Sequence, residues 1–251
     1  MSSSFRQILS GREHSEDWYQ GRGIYGGLVF AQFVFALRGK TEFPIRRLTV
    51  DMCAPVLAGD IEIKVQEARK GVNSHFFYVC AIQGTKVVAH GSAVCGGARS
   101  NLFDIHTHPA PEEIPPTFDS IPSNPLMPEF TNHFEYWPTI GAFPFSQATD
   151  LRCGGWIRHR QDRLIDTEMV AALLDAWWPS VSLALNGPRP MGTISCTIDF
   201  SMTESFEQTE PCLLENTCVE VHEGYAVENN VLWSAKGRVL ARAQQNVVII
   251  R

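Results

Sequence analysis

Apolar positions along the chain fall into two period-two blocks, each introduced by one helix-like run. The run from Gly26 to Gly39 (GGLVFAQFVFALRG) is apolar on nearly every side, through Leu28, Val29, Phe30, Phe33, Val34, Phe35 and Leu37. A helix without a polar face is one covered by other structure. Four strand-like segments follow it without a second helix: IRRLTVDMCAPV, DIEIKVQEARK, NSHFFYVCAIQ and TKVVAHGSAVC. The same order then returns. A helix over Thr167 to Trp178 (TEMVAALLDAWW) precedes MGTISCTIDFSM, CLLENTCVEVHEG, YAVENNVLWSAKG and RVLARAQQNVVII. Gly71 corresponds to Gly224, Val87 to Val239 and Gln32 to Asp175 at nearly constant spacing, which marks an internal duplication. Helix followed by strands joined through tight turns such as Gln83-Gly84 and Lys236-Gly237 predicts an α+β fold with antiparallel sheet, not βαβ units.

Between the blocks, nine of the fifteen prolines lie from Pro109 to Pro144, where neither helix nor strand propagates easily. The expected organisation is an N-terminal half over 1–100, a Pro-rich connector over 101–145 and a C-terminal half over 146–251. Tyr136-Trp137-Pro138 in the connector reads as a lid or as an anchor for a long loop.

Composition narrows the function classes. The chain is 44% hydrophobic and carries a net charge of −6, with no block of Lys and Arg interleaved with aromatics. That argues against nucleic acid as a partner. No apolar run reaches the length of a membrane span, and MSSSFRQILSGREHSEDW has no export-signal pattern, so a cytoplasmic protein is expected. Seven cysteines (53, 80, 95, 153, 196, 212 and 218) form no Cys-x-x-Cys and read as reduced packing residues. His106 and His108 have no second ligand pair at zinc spacing, so neither metal nor redox cofactor is expected. Gly21-Arg22-Gly23-Ile24-Tyr25-Gly26 fits G-x-G-x-x-G, but lacks the preceding apolar strand and the parallel crossover that a dinucleotide site requires.

Three polar positions stand out. Asp175, in Ala-Ala-Leu-Leu-Asp-Ala-Trp-Trp, places a carboxylate among apolar neighbours, where it loses hydration unless it is paired or neutralised. Backbone amides, or one of Arg152, Arg158 and Arg160, are the alternative partners to a catalytic role. Thr193 opens the strand after that helix. Gln245 shares a face of the last strand with Ala241, Ala243 and Val247, which points it inward. No G-x-S-x-G elbow is present, so a covalent serine hydrolase is disfavoured.

The order of elements and several short motifs resemble the double-hotdog acyl-CoA thioesterases of the thioesterase II type. The matching pieces are Ile24-Tyr25-Gly26-Gly27 opening the first helix, Gly59-Asp60, Ala81-Ile82-Gln83 before Lys86-Val87-Val88, Trp156-Ile157-Arg158, the helix bearing Asp175, Thr193-Ile194, and Gln245 four residues after Ala241. The resemblance implies two tandem helix-plus-sheet halves forming one continuous sheet, and hydrolysis of an acyl-CoA through a water held by Asp175, Thr193 and Gln245. It further implies substrate contacts at Gly26 and Gly27, an oxyanion donor near a helix N-terminus, and a homodimer associating through exposed sheet edges. Trp177 and Trp178, directly after Asp175, read either as core packing or as a bulky wall that limits the acyl channel. Gln32 stands where Asp175 stands and Ala93 where Gln245 stands, so one of the two pseudo-symmetric sites is equipped. The competing reading is a hotdog module that binds acyl-CoA or a fatty acyl ligand without turnover; a hydratase is disfavoured because no Asp has a His five residues later.

Overall fold

The computed structural model describes residues 5–10, 13–99, 105, 109–111, 115–125 and 127–250. His106 and His108 lie outside the described residues. Helix α1 spans Phe5–Ser10 and α2 spans Gly26–Arg38. The strands β1 Ile45–Met52, β2 Glu62–Lys70, β3 Ser74–Gln83 and β4 Lys86–Gly96 follow. After the Pro-rich stretch come β5 Phe134–Gly141, β6 Arg152–His159, α3 Thr167–Leu174, β7 Met191–Phe200, β8 Cys212–His222, β9 Tyr225–Trp233 and β10 Val239–Ile249.

All ten strands join one sheet in the order β2-β3-β4-β1-β7-β10-β9-β8-β6-β5, and every neighbouring pair is antiparallel. The order 2-3-4-1 is mirrored by 7-10-9-8 across a seam where β1 pairs with β7, Thr49 opposite Thr197. The fold is therefore α+β, as the repeated pattern predicts, with two hotdog halves sharing one sheet, as the resemblance implies. One apolar core, running from Phe5 through Leu48 and Phe77 to Leu173, Ile198 and Leu240, spans both halves.

Helices α2 and α3 pack against each other on the inner face of the sheet, which accounts for their lack of a polar stripe. Tyr25, just before α2, donates its hydroxyl to Ala172 O near the end of α3 at 2.8 Å. At the opposite end Arg38 closes α2 against Glu168 (2.6 Å) and Asp166 (3.4 Å) at the start of α3. The helices thus run antiparallel, with a polar contact between the halves at each end.

Two expectations are corrected. The stretch read as strandless contains β5, including Pro138; β5 is the outermost strand, where a residue without an N–H is tolerated. The second helix ends at Leu174, not Trp178. Asp175 N bonds the carbonyls of Ala172 and Leu173, Asn230 takes the Leu174 carbonyl, and Pro179 lies ahead, so the helical ladder has nothing to continue on. On the outer strands of the sheet, β2 carries Glu62, Lys64, Glu67, Arg69 and Lys70, and β5 carries Pro138. These features oppose edge-to-edge pairing. No helix among the described residues is long and apolar enough to cross a membrane.

Candidate active site

The first half contributes the start of α2. Tyr25 is its N-cap, Gly26 its first residue and Gly27 its second, so the Gly27 N–H is one of the donors that a helix leaves without an internal partner. It donates to Asp175 Oδ2 at 2.7 Å. The second half contributes the carboxylate, standing as C-cap of α3. Asp175 thus lies between the positive end of one helix dipole and the negative end of the other. A Cβ on residue 26 would lie 2.8 Å from Asp175 Oδ2, and one on residue 27 would lie 2.5 Å from the Tyr25 ring, so both positions need glycine. In the structure it is Asp175 and Tyr25 that approach the glycine pair closely.

The sheet supplies two more groups to the other carboxylate oxygen. Gln245 Nε2 donates to Asp175 Oδ1 at 2.7 Å, and Thr193 Oγ1 donates to the same oxygen at 3.3 Å. Gln245 points inward by ordinary alternation on β10, in line with the buried Ala241, Ala243 and Val247. Thr193 does not. Cys196, Ile198 and Phe200 are the inward residues of β7, and strict alternation would turn Thr193 outward. A bulge between Thr193 and Ser195 resets the count, so that Thr193 faces the buried Val247 across the ladder and shares its side of the sheet.

The three polar residues singled out in the sequence therefore meet, with a backbone N–H as fourth member. Arg152, Arg158 and Arg160 do not reach Asp175: Arg152 and Arg158 pair with Glu215 and Glu135 at 2.5 Å each, and Arg160 bonds the Asn132 and Phe134 carbonyls. Loss of hydration pushes the Asp175 carboxyl up to about 6, opposed by the hydrogen bonds from Gln245, Gly27 and Thr193, with a small upward contribution from Glu228. An acid of that strength is ionised at neutral pH yet still basic enough to take a proton from a bound water. Because the Gly27 N–H is occupied by the carboxylate, it is not free to serve as the oxyanion donor.

Trp177 and Trp178 follow on the turn after Asp175. Trp177 is buried, meets Tyr136 edge-on with ring centres 5.5 Å apart, and contacts Trp178 at 4.7 Å. Trp178 is half-buried and stacks with the exposed Phe143. Tyr136 OH donates to Ala176 O at 3.0 Å, so this part of the Pro-rich stretch braces the turn that carries the carboxylate. The pseudo-equivalent position in the first half is filled: Gln32 Oε1 lies 2.8 Å from His14 Nε2, and Gln32 Nε2 donates to Ile8 O. Sequence reasoning missed Gly27 N–H as a carboxylate ligand, together with Tyr25, Glu228 and Asn230 around it. Among the described residues no three His, Cys, Asp or Glu side chains are grouped to hold a metal ion, and all seven cysteines are free thiols.

Comparison with known proteins agrees with this architecture. Over the full chain the fold is similar to a hotdog protein of unknown function from Alicyclobacillus acidocaldarius, at 22% identity and TM-score 0.87, covering 100% of this chain and 99% of that one. It is also similar to the acyl-CoA thioesterase II TesB2 from Mycobacterium marinum (16% identity, TM-score 0.74, 98% of each chain) and to a TesB protein from Mycobacterium avium subspecies paratuberculosis (13%, 0.72, 99% and 100%). At these identities the likeness is one of fold. No curated protein matches by sequence. Family models are more specific: the acyl-CoA thioesterase N-terminal domain matches residues 14–96 and the C-terminal domain matches 106–249. With one model on each half, together taking in Gly27, Asp175, Thr193 and Gln245, the chain belongs to the acyl-CoA thioesterase family.

Proposed function

We propose that the protein hydrolyses an acyl-CoA thioester to a free acid and CoA, with Asp175 as general base and Thr193 and Gln245 as its positioning partners. The observation that carries this reading is the convergence of three donors, Gly27 N–H from the first half and Thr193 and Gln245 from the second, on one desolvated carboxylate. A structural Asp would be satisfied more cheaply by an arginine or by a cap that leaves it hydrated.

In the proposed step Asp175 accepts a proton from water as the water oxygen bonds to the thioester carbonyl carbon. The tetrahedral intermediate then collapses, the carbon–sulfur bond breaks, and the leaving thiolate takes the proton back from Asp175. A thiolate leaves far more readily than an alkoxide or amine, so the site needs an oriented water and a base more than a strong general acid. Gln245 and Thr193, both bonded to Oδ1, fix the carboxylate plane, while Gly27 restrains Oδ2. Gly26, Gly27, Trp177 and Trp178 border this group and are the proposed substrate-facing residues.

The test is thiol release from short, long and aromatic acyl-CoAs by the full chain. Turnover of one or more members supports the reading. Acyl-CoA that raises the melting temperature without releasing thiol would instead identify a binding module, and neither effect would remove acyl-CoA as the ligand.

A further inference from the structure

The proposed reaction leaves one buried carboxylate unused. β9 turns Ala226, Glu228, Asn230 and Leu232 to the inner face, and all four are buried. Glu228 lies directly opposite Gln245 in the β9–β10 ladder, and Cys196 lies opposite Gln245 on its other side. Opposed side chains on one sheet face are neighbours, so Glu228 stands beside the amide that holds Asp175. The corresponding place in the first half is apolar: Ala93 faces Phe77. A buried carboxylate therefore occupies a position that this fold can fill with an aromatic ring.

Its partners suggest why. Glu228 Oε1 accepts from Val181 N at 2.8 Å, and Oε2 accepts from Ser180 N at 3.1 Å. Two residues further along, Asn230 Nδ2 donates to Leu174 O at 3.2 Å. Leu174 immediately precedes Asp175, while Ser180 follows Pro179, so two side chains of one strand grip both ends of the turn 175–179. We propose that Glu228 is a positioning residue for the Asp175 site, clamping that turn together with Asn230 and placing a second negative charge behind Gln245. The inference rests on the hydrolase reading for its kinetic consequence, but not for the clamp itself.

The geometry carries an electrostatic consequence. The titratable groups facing Glu228 are Asp175 from the turn, Cys153 from β6 and Cys218 from β8, and the proton affinity of each is raised by it. Burial pushes Glu228 itself upward, opposed by the two N–H donors. Glu228 thereby makes Asp175 a stronger base while fixing where it points.

The experiment compares wild type, Glu228→Gln and Glu228→Asp on an acyl-CoA that wild type turns over, from about pH 5 to 9. Glu228→Gln removes the charge and sets an amide N–H against a backbone N–H; kcat is expected to fall by about tenfold or more with KM changed by less than about twofold. Its acid limb is expected at lower pH than in wild type. Glu228→Asp keeps the charge, so its limb stays in place and part of kcat returns. A folded Glu228→Gln protein with wild-type kcat and limb, or one altered only in melting temperature, overturns the proposal. Should Glu228→Gln fail to fold, carboxyl-carbon NMR titration of Asp175 in wild type and Glu228→Met decides the matter: the Asp175 midpoint falls when the Glu228 charge is removed, and an unchanged midpoint overturns it. Absence of thiol release by wild type would sink the hydrolase reading alone, because the NMR titration needs no turnover.

Discussion

Replacing Asp175 with Asn tests the site on two independent scales. The amide introduced by Asp175→Asn can keep its carbonyl oxygen on Gly27 N–H, and a flip of the Gln245 amide then presents Oε1 to the new Nδ2. The fold is therefore expected to survive, while the base is lost. Removing a positioned general base costs about 10²- to 10⁴-fold in rate, or about 3 to 5 kcal/mol of transition-state stabilisation. Stability should move the other way. The Asp175 carboxyl sits at about 6 in the folded chain against an ordinary 3.8, so the folded state binds the proton more tightly than the unfolded one. Stability is then greatest below about pH 4 and declines as pH rises through about 6, because above that the folded chain must hold a desolvated charge. At about 1.36 kcal/mol for each tenfold in proton affinity, the difference is about 3 kcal/mol. Packing changes caused by Asp175→Asn are independent of pH and cancel when two pH values are compared. Denaturant unfolding of both proteins at about pH 4 and pH 7.5 should show wild type losing about 3 kcal/mol relative to Asp175→Asn between the two, alongside a kcat loss of about a hundredfold or more. A variant that keeps wild-type kcat would refute the role of Asp175, and a flat stability difference would refute its burial as a charge.

The remaining expectations concern its neighbours. Wild-type kcat should fall as pH drops through about 6, since protonated Asp175 cannot accept a proton from water; a flat profile down to about pH 5 would contradict this. Gln245→Ala removes a donor at 2.7 Å from a charged acceptor, an interaction of about 1.5–3 kcal/mol; kcat should drop about 10- to 100-fold and the acid limb shift to higher pH. Gly26→Ala places a Cβ 2.8 Å from Asp175 Oδ2 and must displace it; turnover should fall by about tenfold or more, and an unaffected kcat would mean that the carboxylate need not sit where it does. Trp177→Ala empties a buried, aromatic-packed position and should cost about 3–5 kcal/mol in denaturant unfolding.

Most of the fold was legible because its two signals are strong. Nearly continuous apolarity over Gly26–Arg38 and over the α3 run identifies covered helices, and period-two alternation identifies the eight strands that the two halves share. What escaped was set by neighbours. Phe134–Gly141 contains Pro138 and follows a Pro-dense stretch, so nothing local marks it as a strand; it forms because β6 offers an edge on which a missing N–H costs little. The end of α3 at Leu174 was equally hidden. Ala176, Trp177 and Trp178 continue the apolar run, and the signal that stops the helix, Asn230 bonding the Leu174 carbonyl, comes from a strand 56 residues away.

The site divides along the same line. Gln245 was readable because alternation on β10 is unbroken, and Asp175 because a carboxylate in an apolar run needs an explanation. Thr193 reached the same site by a route that alternation contradicts: counting by twos from Cys196 sends it to solvent, and only the bulge at Thr193/Ser195 brings it back. Glu228 and Asn230 were invisible for the complementary reason. Along Tyr225–Trp233 the set Val227, Asn229, Val231 and Trp233 is at least as apolar as Ala226, Glu228, Asn230 and Leu232, so pattern alone turns the polar pair outward. The structure buries that pair instead, against backbone groups on either side of Asp175. A strand that buries its more polar face against one turn is shaped by the requirements of that turn. The sequence pattern fails at β7 and β9 for one reason: both strands depart from simple core packing where they serve Asp175.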